Sequence, residues 1–226
     1  MTRTIRLALA AWLGAAALVA QTTTASVQAI GTATIYVQPN QAQLTVSVTT
    51  TGTTATAAGQ QNANVTVAVT QAINSVLGAS GSIQTVSYSV YPQYSNGTAT
   101  QPSTIVGYSA TNTFQVTMTD LTLIGRIIDT ANQAGATSVG SLTLGLQNPA
   151  PSLQQALAAA SQQALANAGA IASGLGGKTG AVMSAQQSSA YTPTLVAVAS
   201  PGATTTPVQT GPVSVSATVT VTVQLQ

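Results

Sequence analysis

The chain has no cysteine, no histidine and no glutamate, and these absences remove most of the side chains on which enzymes rely. Without cysteine there is neither a disulfide nor a thiolate nucleophile. Without histidine and glutamate the ordinary metal ligands shrink to two aspartates, and the usual general base is gone. Charge of either sign is equally scarce, at 3% of 226 residues against roughly a quarter in an average soluble protein. Arg3 and Arg6 stand at the extreme N-terminus, and Asp120, Arg126, Asp129 and Lys178 are the rest. A chain shortened past the two arginines therefore balances two positive against two negative side chains. The formal +2 and the pI near 9.2 belong to the full chain. Nucleic acid is not expected as a partner, because phosphate binding needs clustered Lys and Arg.

What is present is apolar and neutral-polar. Mean hydropathy is +0.34 with 45% apolar residues, so the low charge does not signal disorder. Thr, Ser, Gln and Asn supply the polarity, and they hydrate a surface without making identical copies repel one another. Three readings fit: adaptation to a harsh exterior, a subunit built to assemble, or a biased genome composition.

Residues 1–20 combine Arg3 and Arg6 with an apolar run of about 14 residues, the form of a signal peptide and too short for a spanning helix. Cleavage is expected after Ala17, Ala20 or Ala25, which gives a leader within 1–25 and a single mature domain over 26–226. No later apolar run reaches the roughly 20 residues of a membrane-spanning helix.

Alternation predicts two strands at 27–37 and 41–51, joined at Pro39-Asn40 as a β-hairpin. Ala58, Val65, Val69, Ala72 and Val76 then recur at helical spacing until Gly78. Strands follow at Ile83–Tyr94 and Val106–Thr119, around a loop through Asn96-Gly97 and Pro102. Asp120 or Thr119 is expected to cap a helix whose buried face is Leu121, Ile124, Ile127, Ile128 and Ala131, ending at Gly135. Val139–Leu146 alternates again. Ser152 is expected to cap an Ala-rich helix with the stripe Leu153, Leu157, Ala160, Ala164, Ala168, Ile171 and Leu175, closed by Gly176-Gly177. Residues 179–191 read as a strand, 192–211 as a Pro/Thr/Ala/Gly-rich loop or extension, and Val213–Leu225 as a strand of almost faultless alternation. The fold class is α+β, a mostly antiparallel sheet with helices packed on one face. The blocks 27–94 and 105–147 suggest a loose internal duplication.

Candidate chemistry is thin. Asp120 and Asp129 lie nine positions apart, on opposite faces of a helix at about 100° per residue, so they are no carboxylate pair. Asp120 reads as a cap and Asp129 as the i+3 ion-pair partner of Arg126. Lys178 follows two glycines in a faint echo of a phosphate loop, but the motif's first glycine is missing and a helix precedes it where a strand should. No catalytic, cofactor or metal site is expected. Tyr88, Tyr91, Tyr94 and Tyr108 fall on strands, where sheet packing is the plain reading and an interaction surface the alternative.

Five segments resemble the SIMPL-domain family in order and spacing. They are Gly31-Thr-Ala-Thr-Ile-Tyr-Val-Gln-Pro39-Asn40, the Thr/Tyr/Pro segment Ile83–Tyr94, Gly107-Tyr108-Ser-Ala-Thr-Asn112, the helix from Asp120 to Gly135-Ala136, and the Ala-rich helix with the last strand. The resemblance covers about residues 27–226. It implies a periplasmic or secreted bacterial protein without known enzymatic activity and with no catalytic residues to carry over. Its relatives include a periplasmic immunogenic protein that forms channel-like homo-oligomers, oxidative-stress defence proteins, and a distant eukaryotic kinase-associated signalling protein. This chain departs from the family with Asn40 in place of the usual Asp, and with Gln, Ser and Ala where the Ala-rich helix normally carries charge. The expected partner is a second copy of the chain, and the alternative is an envelope protein bound through the tyrosines and the loops at 95–104 and 192–211.

Overall fold

The structure is a computed structural model that describes residues 24–97, 102–192, 194–195 and 211–226. The chain opens with β1 (Ser26–Val37) and passes through Pro39-Asn40 into β2 (Gln41–Gly52). Then come α1 (Ala55–Leu77), β3 (Gly81–Tyr94), β4 (Ile105–Met118), a 3-10 turn (Leu121–Leu123), α2 (Ile124–Gln133) and β5 (Ser138–Gly145). The chain finishes with α3 (Ala150–Gly174), β6 (Thr179–Thr192), the short β7 (Thr194–Leu195) and β8 (Val213–Leu225). The class is α+β, with two antiparallel sheets where one was expected.

The larger sheet has the order β3-β4-β2-β5-β7. Its first four strands, with α1 and α2, make the β-α-β-β-α-β unit of ferredoxin-like folds. The halves β2-α1-β3 and β4-α2-β5 repeat one arrangement, so the duplication spans 41–94 and 105–145 and leaves β1 outside. Both helices lie on one face, over a core of Leu44, Val46, Val48, Phe114, Val116 and Leu144 among others. The other face is neutral-polar, and its hydroxyls pair across strands, Ser47 with Thr113 and Thr49 with Thr111, each at 3.0 Å. The stripe of α1 is Ala58, Asn62, Val69, Ile73 and Leu77. Val65, Ala72 and Val76, from the expected stripe, are only half-buried. Of the expected face of α2, Ile124, Ile127, Ile128 and Ala131 are buried and Leu121 is packed at its edge.

The smaller sheet has the order β1-β8-β6. The expected hairpin of β1 with β2 does not form: β1 pairs with β8, and β2 pairs with β4 and β5. Alternation says which residues share a face, not which strand lies alongside, and Pro39-Asn40 turns out to carry the chain from one sheet to the other. β8 is the central strand, buried along Val213, Val215, Ala217, Val219, Val221 and Val223.

Helix α3 covers β1 and β8 with an i, i+4 row of alanines, Ala156, Ala160, Ala164, Ala168 and Ala172, all fully buried. Ile171 and Leu175, expected in that stripe, are exposed, and Leu153 and Leu157 are only partly buried. The reason is distance, because the helix backbone lies directly on the strand at Gly31. A methyl group there would fall on the carbonyl of Ala160 and the amide of Ala164. Only alanine-sized side chains fit between backbones so close. Ser152 does not cap this helix: it starts at Ala150 with Pro149 at its N-cap, and the nearby side-chain acceptor is Asn148 Oδ1, which receives Ala150 N–H at 3.0 Å.

A third apolar cluster, Leu146, Val213 and Val215 with Val37 and Leu153, joins the two sheets. Asn40 stands at this junction. Its backbone N–H donates to Gly145 O at 3.0 Å and its Oδ1 accepts from Gln147 N–H at 2.8 Å. A carboxylate could accept that second bond as well, so Asn for Asp keeps the contact without a charge.

Candidate interaction surfaces

Three of the four candidate tyrosines are well exposed: Tyr88 at 54%, Tyr91 at 66% and Tyr94 at 60%. They stand on β3, an outer strand of the larger sheet. A bulge between Thr85 and Ser87 sets their register, with Tyr88 opposite Asn112 and Tyr91 opposite Ser109. Successive side chains alternate from there, so Tyr88 and Tyr91 take opposite sides of the strand, and a second register shift follows between Gln93 and Tyr94. The Tyr88 hydroxyl lies over α1, where a methyl group added at Gly59 would sit 3.0 Å from it. Tyr108 is half-buried on the helix-covered side of β4, between Gly52 of β2 and Pro92 of β3. It is a packing residue more than a surface one.

The pairing of β2 with β4 ends at Gly52 and Tyr108, whereas β3 and β4 continue to Tyr94 and Ile105. The hairpin thus projects past its neighbour, and Ser95 N–H to Thr104 O at 2.8 Å closes the loop at its end. Val86, Ile105 and Val106, which sequence reading did not single out, are also exposed on it. Residues 98–101 at the tip lie outside the described residues. Beneath the hairpin, Asn62 is completely buried and donates through Nδ2 to Val48 O at 2.8 Å and Ala110 O at 3.0 Å. Asn112 Oδ1 is buried with no hydrogen-bond partner.

Asp120, expected to cap the helix, instead caps the 3-10 turn that leads into α2, whose own N-cap is Leu123 without a side-chain bond. Its Oδ1 accepts Thr122 N–H at 3.0 Å and the Thr122 hydroxyl at 2.6 Å. The hydroxyl first, and then the amide, hold this carboxyl below its ordinary value. Arg126 is exposed and Asp129 half-buried, three positions apart on α2. Lys178 pairs by backbone with Gln226 at the end of the smaller sheet. Among the described residues no three His, Cys, Asp or Glu cluster in a way that could hold a metal.

The smaller sheet has two outer strands with different surroundings. On β1 two backbone groups on the free side are taken: Asn167 Nδ2 donates to Ile30 O, and Gln163 Oε1 accepts Thr32 N–H, both at 2.8 Å. On β6 every residue from Thr179 to Ser189 is exposed except Gly180, which is half-buried. Ser216 and Thr220 point away from α3 on the central strand, so they report on a sheet face and not on an edge.

The leader at 1–20 lies outside the described residues, as do 193 and 196–210 of the expected 192–211 loop. Thr194–Leu195, in that stretch, forms β7 against β5. Among the described residues no helix is long and apolar enough to cross a membrane. No curated protein matches the chain. The family model SIMPL, described as a protein of unknown function (DUF541), matches residues 27–223, nearly the whole span from β1 to β8. By that match the chain belongs to the SIMPL family.

Proposed function

We propose that this SIMPL protein is exported and acts without catalysis, as a self-associating structural or stress-related component of the cell envelope or exterior. The observation that carries the reading is its surface. Long outer strands with exposed apolar side chains, Val86 and Tyr91 on β3 and Val182 and Met183 on β6, occur in a chain with four charges beyond Arg6. Strands of this kind normally carry Lys, Pro, a bulge or a covering element to stop pairing with another chain; β3 carries Pro92 and a bulge, whereas β6 carries neither Lys nor Pro. Asp120 is occupied by its turn, and the basic, apolar start of the sequence supports export. The solution mass of the mature protein tests the reading, with a discrete assembly expected.

The projecting tyrosine hairpin favours a second reading, a module that binds an envelope partner. That reading predicts a monomeric mature protein whose retention in the envelope fraction is lost when Tyr91 and Tyr94 are both changed to Ser. If the retained protein is an assembly and the double variant stays with it, the binding reading fails.

A further inference from the structure

We infer that β6 is the edge at which two copies of this chain join, pairing antiparallel about a two-fold axis near Gln186–Gln187. The inference rests on the self-association proposed above and names the surface that performs it. The argument starts from α3. Its alanine row faces the sheet, so side chains one position before and one position after each alanine project along opposite flanks of the helix. On one flank Gln163 and Asn167 reach the free side of β1 and satisfy two of its backbone groups. On the other, Leu157 and Ser161 border a groove floored by Ala185, Gln187 and Val219. Leu165, four residues on, is 46% exposed. The middle of one edge of the sheet is therefore capped by two amide side chains, and the other edge has no such cap beside its apolar flank.

Among the described residues β6 pairs with β8 alone. Beyond the register shifts between Thr179 and Ser184 it offers an unpaired row of N–H and C=O groups from Ser184 to Thr192, a length of about 30 Å. A strand added there would gain main-chain hydrogen bonds and would cover Leu165. A second copy fits because the strand complements itself. Around Gln186–Gln187 the neighbours are Ala185 and Ser188, so antiparallel pairing sets small and amide side chains opposite one another with no charge on either. Two copies would form one sheet in the order β1-β8-β6-β6-β8-β1, with each outer β1 capped at Ile30 and Thr32 by its own α3.

The absence of native cysteine makes a direct test available. Ala185, Gln186, Gln187 and Ser188 are changed to Cys one at a time in the mature chain, with Thr34→Cys on β1 as the control. Pairing near the axis brings equivalent Cα atoms within disulfide reach, about 4.4–6.8 Å. A mild oxidant should then join two copies through at least one β6 position and not through position 34. A Gln186→Lys, Ser188→Lys variant should lower the assembly's mass while far-UV circular dichroism stays unchanged. If that variant does not fold, the cysteine scan alone decides. A mass above monomer, with no cross-link on β6 and none of the mass lost in the lysine variant, would overturn the β6 interface and leave self-association standing. A monomer under all conditions would overturn both.

Discussion

Asn167 donates its side-chain amide to the carbonyl of Ile30 at 2.8 Å, and so a helix residue caps a backbone group on the outer edge of a sheet. Gln163, one turn earlier, accepts from Thr32 N–H at the same distance. Both contacts are exposed, so their worth in folding is small, about 1 kcal/mol or less each. Their larger effect is on what the edge can bind. Changing Gln163 and Asn167 to Leu should lower stability by about 1–2 kcal/mol and free the backbone of β1. The measurement is light scattering against time, where the variant should grow into open-ended species while the parent holds a fixed mass. A variant with the parent's mass would show that the two amides do not guard the edge.

Two asparagines, one on α1 and one on β4, should respond in opposite directions. Asn62 binds two strand carbonyls from a completely buried position, and Asn62→Ala should cost about 2–3 kcal/mol in urea unfolding. Asn112 buries an oxygen that has no partner. Asn112→Val removes it and places a β-branched residue on a strand, which should stabilise by about 1 kcal/mol. A loss of stability at position 112 would mean that its oxygen is satisfied in solution.

These asparagines also show how far the sequence could be read. Of the face of α1, spacing gave Ala58 and Val69 but put Val65, Ala72 and Val76 where Ile73 and Leu77 are buried, and Asn62 in the same row looks solvent-facing until its acceptors are known. The alternation of β1, β2 and β8 was plain, yet strand partners are set by tertiary packing, so the hairpin expected at Pro39-Asn40 proved to be a crossing between sheets. The alanine row of α3 was visible as composition. That it marks a close approach followed only from Gly31, which meets the backbone at Ala160 and Ala164. Gly31→Ala should therefore cost about 2–3 kcal/mol, as overpacking against backbone does. The tyrosines were legible as strand residues, but the exposure of three and the partial burial of Tyr108 depended on the register with β4.

Asp120 gives the chain a small acid sensitivity. Hydrogen bonds from Thr122 depress its folded-state pKa below the ordinary 3.8, so the deprotonated form is favoured on folding. The contribution is present above that value and fades as pH falls through the lower, folded-state value. Asp120→Asn keeps an acceptor without the titration. Melting temperature followed from pH 7 to pH 2 should show a shallow decline in the parent that is absent from the Asn variant. Parallel curves would remove Asp120 from the pH response.

Ala25 O accepts Leu225 N–H at 2.8 Å, which ties the residue before β1 to the last strand. If the leader is cleaved on export, cuts after Ala17 or Ala20 preserve that bond and a cut after Ala25 removes it. N-terminal sequencing of protein from the producing cell should therefore begin at Leu18 or Gln21. An intact Met1 in envelope-derived protein would contradict export by a cleaved leader.

The most direct test of the account is the mass of the mature protein by light scattering, across concentration and from low to moderate salt. The account predicts one discrete species larger than a monomer, changing little with salt because four charges leave little to screen. A monomer that persists at high concentration would contradict it.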